Sequence, residues 1–197
     1  MTLDVPDLEP VLLLPGLHDS GADHWQTLWL AAHPRFRRVE QLDWATPLCA
    51  DWMANLDAAV AEAGRDALLV AHSAACALVA HWAAAHGRQI RGALLVAPSD
   101  VEASTYPEGP VGFAPMQLGR LPFASTVVAS TEDPYVSLHR AKLFAKSWDS
   151  RFVVIGAAGH INAAAGLGAW PAGLELLAEV AARGRAQMSS PPAVPRE

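Results

Sequence analysis

A serine, an aspartate and a histidine each follow a short apolar run in this chain. Ser73 lies in Leu68-Leu69-Val70-Ala71-His72-Ser73-Ala74-Ala75-Cys76, flanked two residues away on each side by alanine. Asp133 lies in Ser130-Thr131-Glu132-Asp133-Pro134, and His160 in Gly156-Ala157-Ala158-Gly159-His160-Ile161-Asn162. Together the three can carry out nucleophilic acyl transfer. A serine hydroxyl needs a base to take its proton, and neutral imidazole can do so near pH 7. A carboxylate then holds the imidazole in one tautomer and stabilises the imidazolium. Each residue also has a plain reading: Ser73 as a helix N-cap, Asp133 as the cap of a helix after Pro134, His160 as a loop histidine.

The run around Ser73 is a variant of Gly-x-Ser-x-Gly, in which tiny residues let a strand turn sharply into a helix and lift the hydroxyl above a sheet. Alanine at both flanking positions keeps the small size but not the freedom in φ. A tetrahedral intermediate also needs N–H donors for its oxyanion. Ala74, just after the serine, offers one. The loop Pro15-Gly16-Leu17-His18-Asp19-Ser20 offers another, with Leu17 the candidate donor and Gly16 permitting close backbone approach, unless Pro-Gly makes only a turn. Gly16, His18 and His24 are expected at the substrate, and Phe113 and Met116 as an apolar wall for its acyl group. Ser99 and Asp100 are expected to border the pocket, Asp100 also being an alternative acid. Trp25 and His72 fit structural roles, and Cys76 a buried, inert thiol.

Strands that end just before these residues would position them. Val11–Leu14, Arg38–Leu42, Ala67–Ala71, Gly92–Ala97, Ser125–Ser130 and Phe152–Ile155 read as strands. A helix capped by Asp23 is expected through about His33, with others over Asp51–Ala63 and Ala74–His86, stopped by Gly64 and Gly87, and over Val136–Trp148 and Leu167–Arg183. Continuous apolar strands alternating with helices indicate an α/β fold, its mostly parallel sheet buried on both faces. In such sheets, sites form at the C-terminal ends of the strands. The order Ser–Asp–His is that of α/β-hydrolases. Ser99–Pro122, rich in proline and glycine, breaks the alternation as a long loop. One domain is expected over residues 1–183, with a disordered tail over 184–197.

At 52% hydrophobic and 17% charged residues, the 197-residue chain can fill one core. Its net charge of −6 argues against nucleic acid or an anionic membrane as partner, and the sequence names no protein partner. The acidic N-terminus is unlike a signal peptide, and no apolar run approaches the ~20 residues of a membrane span. Two cysteines make no disulfide framework, which favours a cytoplasmic setting. Eight histidines are present, yet His-Glu-x-x-His and Cys-x-x-Cys are missing, as are Gly-x-Gly-x-x-Gly and Walker spacing. Neither a metal nor another cofactor is expected.

Several short motifs stand out together: Pro15-Gly16-Leu17-His18-Asp19-Ser20 with Asp23-His24-Trp25, Ala71-His72-Ser73, Val96-Ala97-Pro98, Leu121-Pro122-Phe123, Ser130 with Asp133-Pro134-Tyr135-Val136, and Gly159-His160-Ile161-Asn162. Over residues 10–180 the chain resembles the small single-domain serine hydrolases that include bacterial YdeN-type proteins and retinoblastoma-binding protein nine. The resemblance implies a three-layer α/β-hydrolase core of about six strands without a separate cap domain, and Ser73, Asp133 and His160 as a catalytic triad. Ala75 departs from the glycine usual at its position. The expected activity is carboxylesterase-like hydrolysis of a small ester or amide. The competing reading is a non-catalytic binding protein that keeps the fold.

Overall fold

Runs of leucine, valine and alanine too short for helices form six strands: β1 (Val11–Leu14), β2 (Phe36–Arg38), β3 (Leu68–His72), β4 (Gly92–Val96), β5 (Ser125–Ala129) and β6 (Arg151–Val154). The computed structural model describes residue 8 and residues 10–189. One sheet results, ordered β2-β1-β3-β4-β5-β6, with every neighbouring pair parallel. Parallel neighbours require crossovers, and helices α1 (Trp25–Ala32), α2 (Cys49–Ala63), α3 (Ala74–His86) and α4 (Leu138–Ser147) lie within them. Helix α5 (Pro171–Ser189) follows the last strand.

Side chains alternate between the two faces of the sheet, and two cores follow from that period of two. Leu12, Leu14, Leu69, Ala71, Leu95 and Val127 pack with Trp52, Leu56 and Val60 of α2, with α3, and with Phe144 of α4. Val11, Leu13, Leu68, Val70, Leu94 and Val128 pack with Trp25 and Trp29 of α1 and with Leu177 and Val180 of α5. The fold is thus the expected three-layer α/β-hydrolase core. Residues 97–124 add no helix or strand to it, only an isolated bridge between Leu48 and Val111.

The structure moves several expected boundaries, among them the start of α5 from Leu167 to Pro171, and three of the shifts have a clear physical reason. Strand β2 begins at Phe36, not Arg38, because its register pairs Phe36 with Val11 and buries that ring, whereas Leu42 is exposed. Helix α1 is capped not by Asp23 but by His24, whose Nδ1 accepts from the Gln26 N–H at 3.1 Å. Helix α5 runs six residues past the expected end of the domain at 183. Gly184, read as the first residue of a tail, is buried inside that helix against the start of β4. The remainder of the expected tail, 190–197, lies outside the described residues.

A Cβ on Gly184 would stand 1.7 Å from the Arg91 carbonyl oxygen. Backbone cannot yield as a side chain does, so α5 would have to lift from β4. Gly184→Ala is expected to lower unfolding free energy by about 2–3 kcal/mol, read as a reduced urea midpoint.

Candidate active site

Ser73 joins β3 to α3 at φ 60°, ψ −126°, a conformation that L-residues avoid. Small neighbours make the turn possible. Ala71, Ala74 and Ala75 are fully buried, and a Cβ at Gly16 would come within 2.7 Å of the Ser73 Cβ. The Ser73 N–H donates to the Val96 carbonyl at 3.0 Å, fastening the turn to β4. Ala74 opens α3, whose N-terminal dipole favours negative charge nearby. Among the described residues, neither the Ala74 N–H nor the Leu17 N–H has an acceptor within the chain.

The loops after β5 and β6 bring a carboxylate and an imidazole to the serine. His160 Nε2 lies 2.8 Å from Ser73 Oγ, and His160 Nδ1 lies 2.9 Å from both oxygens of Asp133. The Asp133 side chain is completely buried and its Oδ1 also accepts from the Tyr135 N–H. Ser130 Oγ accepts from the Glu132 and Ala158 N–H groups, so one hydroxyl ties the aspartate loop to the histidine loop. His72 Nε2 donates to the His160 carbonyl at 2.9 Å, and Trp25 Nε1 donates to that of Ile161 at 2.8 Å. Asp100, the alternative acid, instead accepts from Nε and Nη2 of the Arg140 guanidinium.

A cavity of about 270 Å³ opens at Ser73 and His160. Leu17, His18, Asp19 and His24 line it from the loop after β1, Ser99, Tyr106 and Pro107 from the β4–β5 segment, and Tyr135 and Asn162 from the last two loops. Gly16, expected at the substrate, does not line the cavity but stands behind this wall against Ser73, where only a residue without a side chain fits. Phe113 and Met116 do not reach the cavity: both are buried in the α2–α3 core, where Phe113 meets Trp52 edge-on at 5.5 Å. Packed there, their apolar side chains are almost fully removed from water. Among the described residues, seven that are not glycine have positive φ, and His18, Asp19, Ser73, Ala97 and Ile161 of these surround the site. Such clustering of strain is typical of functional sites. Ala97, Ile161 and Tyr135 all lie in the motifs that carry the resemblance, but residue type did not announce the positive φ of Ala97 and Ile161. No group of three or more His, Cys, Asp or Glu among the described residues could hold a metal.

The family model described as Serine hydrolase matches residues 11–179. The chain belongs to this family. A YdeN-like hydrolase from Pectobacterium atrosepticum is 30% identical, with a TM-score of 0.76 over 89% of this chain and 90% of that one. The ydeN product of B. subtilis is 19% identical (TM-score 0.69; 86% of this chain, 97% of that one). Est1E from Butyrivibrio proteoclasticus is 11% identical (TM-score 0.61; 92% and 89%). The last two share the fold. No curated protein gave a match.

In this serine hydrolase, three imidazoles stand in a row beside the cavity, the first pair edge-on and the second tilted. His72 lies between His24 and His160, with ring centroids 4.8 and 4.9 Å apart. Burial, then the nearby His160, pushes His24 down to about 4, against a smaller opposing pull from Asp19. Burial holds His72 far below the ordinary histidine range, with His160 and His24 acting in the same direction. Both rings are therefore neutral near pH 7. The unfolded chain protonates His24 near 6.5 and the folded chain only near 4. Stability is therefore complete above about pH 6.5 and falls as the pH drops toward 4, by roughly 2–3 kcal/mol from His24. His72 adds a loss of the same sign. His24→Asn, which can keep the helix cap, is expected to flatten this decline in urea titrations between pH 6.5 and 4.5.

Proposed function

We propose that this serine hydrolase cleaves a small carboxylic ester or amide through an acyl-enzyme, with Ser73, His160 and Asp133 as its catalytic triad. The observation that carries the proposal is the unbroken hydrogen-bonded line Asp133–His160–Ser73. Ser73 Oγ attacks the carbonyl carbon as His160 Nε2 takes its proton. Asp133 keeps Nδ1 protonated and stabilises the imidazolium. The Leu17 and Ala74 N–H groups receive the oxyanion, and the field of α3 adds to their effect. His160 then returns the proton to the leaving alcohol or amine. Water next attacks the acyl carbon, giving its proton to His160, and Ser73 leaves with that proton as the acid is released. No step calls for a cofactor.

The cavity volume favours small acyl groups, and the partly exposed wall at His18 and Tyr135 leaves room for a leaving group. Cys76 offers no competing nucleophile, since burial pushes its thiol well above the usual range. Cys49 and Cys76 are both free and buried, which fits a cytoplasmic setting. Among the described residues no helix is long and apolar enough to cross a membrane.

A fluorophosphonate probe is expected to label the folded wild type and to spare Ser73→Ala; a folded wild type that stays unlabelled contradicts the reading. With p-nitrophenyl acetate, His160→Ala and Asp133→Asn are expected to lower kcat by roughly 10³–10⁴-fold without unfolding the protein. Gly16→Ala must push Ser73 off its present position, and is expected to reduce kcat by at least roughly 10²-fold. Circular dichroism distinguishes that loss from unfolding.

A further inference from the structure

Ser73 Oγ has two side-chain partners, His160 Nε2 at 2.8 Å and Ser99 Oγ at 2.9 Å. Each hydroxyl owns one proton, and counting protons fixes the direction of both bonds. The Asp133 carboxylate only accepts, so the neutral His160 ring carries its proton on Nδ1 and leaves Nε2 bare. Ser73 must then donate to Nε2. Its remaining partner, Ser99, must donate to Ser73.

The chain invests strain in putting Ser99 there. Ala97, fully buried after β4, takes φ 48°, with its N–H donating to the Val128 carbonyl at 2.8 Å. Pro98 follows, and Ser99 arrives buried, 4% exposed, at the cavity wall. Its own N–H approaches the Ser73 carbonyl at 3.5 Å. Arg140 holds the next residue, Asp100, through two bonds of 2.8 Å. The hydroxyl is thus held from both sides of its own backbone.

We infer that Ser99 is a further catalytic residue, the hydrogen-bond donor that stabilises charge on Ser73 Oγ; this rests on reading Ser73 as the nucleophile. As the Ser73 proton passes to His160, negative charge grows on Oγ, and a bond to a charged acceptor is stronger than one to a neutral hydroxyl. The gain is therefore larger in the transition state than in the resting enzyme, which is the condition for raising kcat. Once the acyl bond forms, Oγ is an ester oxygen and a poor acceptor. When water displaces it, charge returns to Oγ and the same donor assists its departure. Ser99 acts on both half-reactions.

The test uses a fluorophosphonate probe, where Ser73 Oγ bonds to phosphorus, fluoride leaves and His160 takes the proton. Ser99→Ala is expected to slow the maximal labelling rate about 5- to 10-fold, with probe affinity within about twofold of wild type. Ser99→Cys keeps the size but is a weak donor, and is expected to fall with the alanine variant. Burst kinetics with p-nitrophenyl acetate should show acylation and deacylation slowed alike, at an unchanged melting temperature. A Ser99→Ala protein that labels at the wild-type rate overturns the assignment. So does a loss confined to probe affinity, or a Ser99→Cys protein as fast as wild type beside a slow Ser99→Ala, since packing and not donation would then be at work. A folded wild type that never labels removes the nucleophile reading, and this assignment with it.

Discussion

The strained turn at Ser73 is the constraint around which the rest of the molecule is arranged. Holding a non-glycine residue there costs about 1–3 kcal/mol, which neighbouring packing has to offset. The offset is visible on every side. Helix α3 is buried along most of its length, β4 accepts the Ser73 N–H, and Gly16 has no side chain to obstruct it. Gln26 closes the base of the arrangement, donating to the Leu14 and Val70 carbonyls and accepting from Ser20. One amide therefore sets the spacing of β1 and β3 beneath the two loops that supply the oxyanion donors in the proposed mechanism.

Main-chain hydrogen bonds position the imidazole as tightly as side-chain bonds do. His72 and Trp25 hold successive carbonyls at His160 and Ile161, and Ser130 joins the loops of β5 and β6. These anchors come from α1, β3 and the end of β5, so the sheet and one of its helical layers together place one ring. A parallel sheet allows this because every strand ends at the same edge, where short loops from distant parts of the sequence meet.

Much of this was legible in the amino-acid order. Apolar runs marked the strands, and Gly64 and Gly87 marked the ends of α2 and α3, where positive φ is needed. Ser73, Asp133 and His160 each stand at a strand end and meet. What escaped the reading depends on geometry that residue type does not encode. Ser99 borders the pocket as expected, but its bond to Ser73 follows a left-handed turn at Ala97 that composition assigns to glycine. Phe113 and Met116 turn inward because a loop's composition cannot say which of its faces is buried. Gly184 resembles a helix stop, yet the lack of a side chain there serves close packing of a helix on a carbonyl. Asp23 looked like the cap of α1, but the imidazole of His24 reaches the free N–H first.

The docking of Gly184 on Arg91 also bears on the order in which the protein can be built. Leu177, Val180 and Ala181 complete the face of the sheet that Trp25 and Trp29 begin. A nascent chain emerging from the ribosome can assemble α2, α3 and the central strands on one side while the other stays open. That second side closes only after residue 184 has been synthesised. Until then Leu94 and Val128, on the two strands that α5 meets, lack that cover, and the chain exposes an apolar surface that the finished protein conceals.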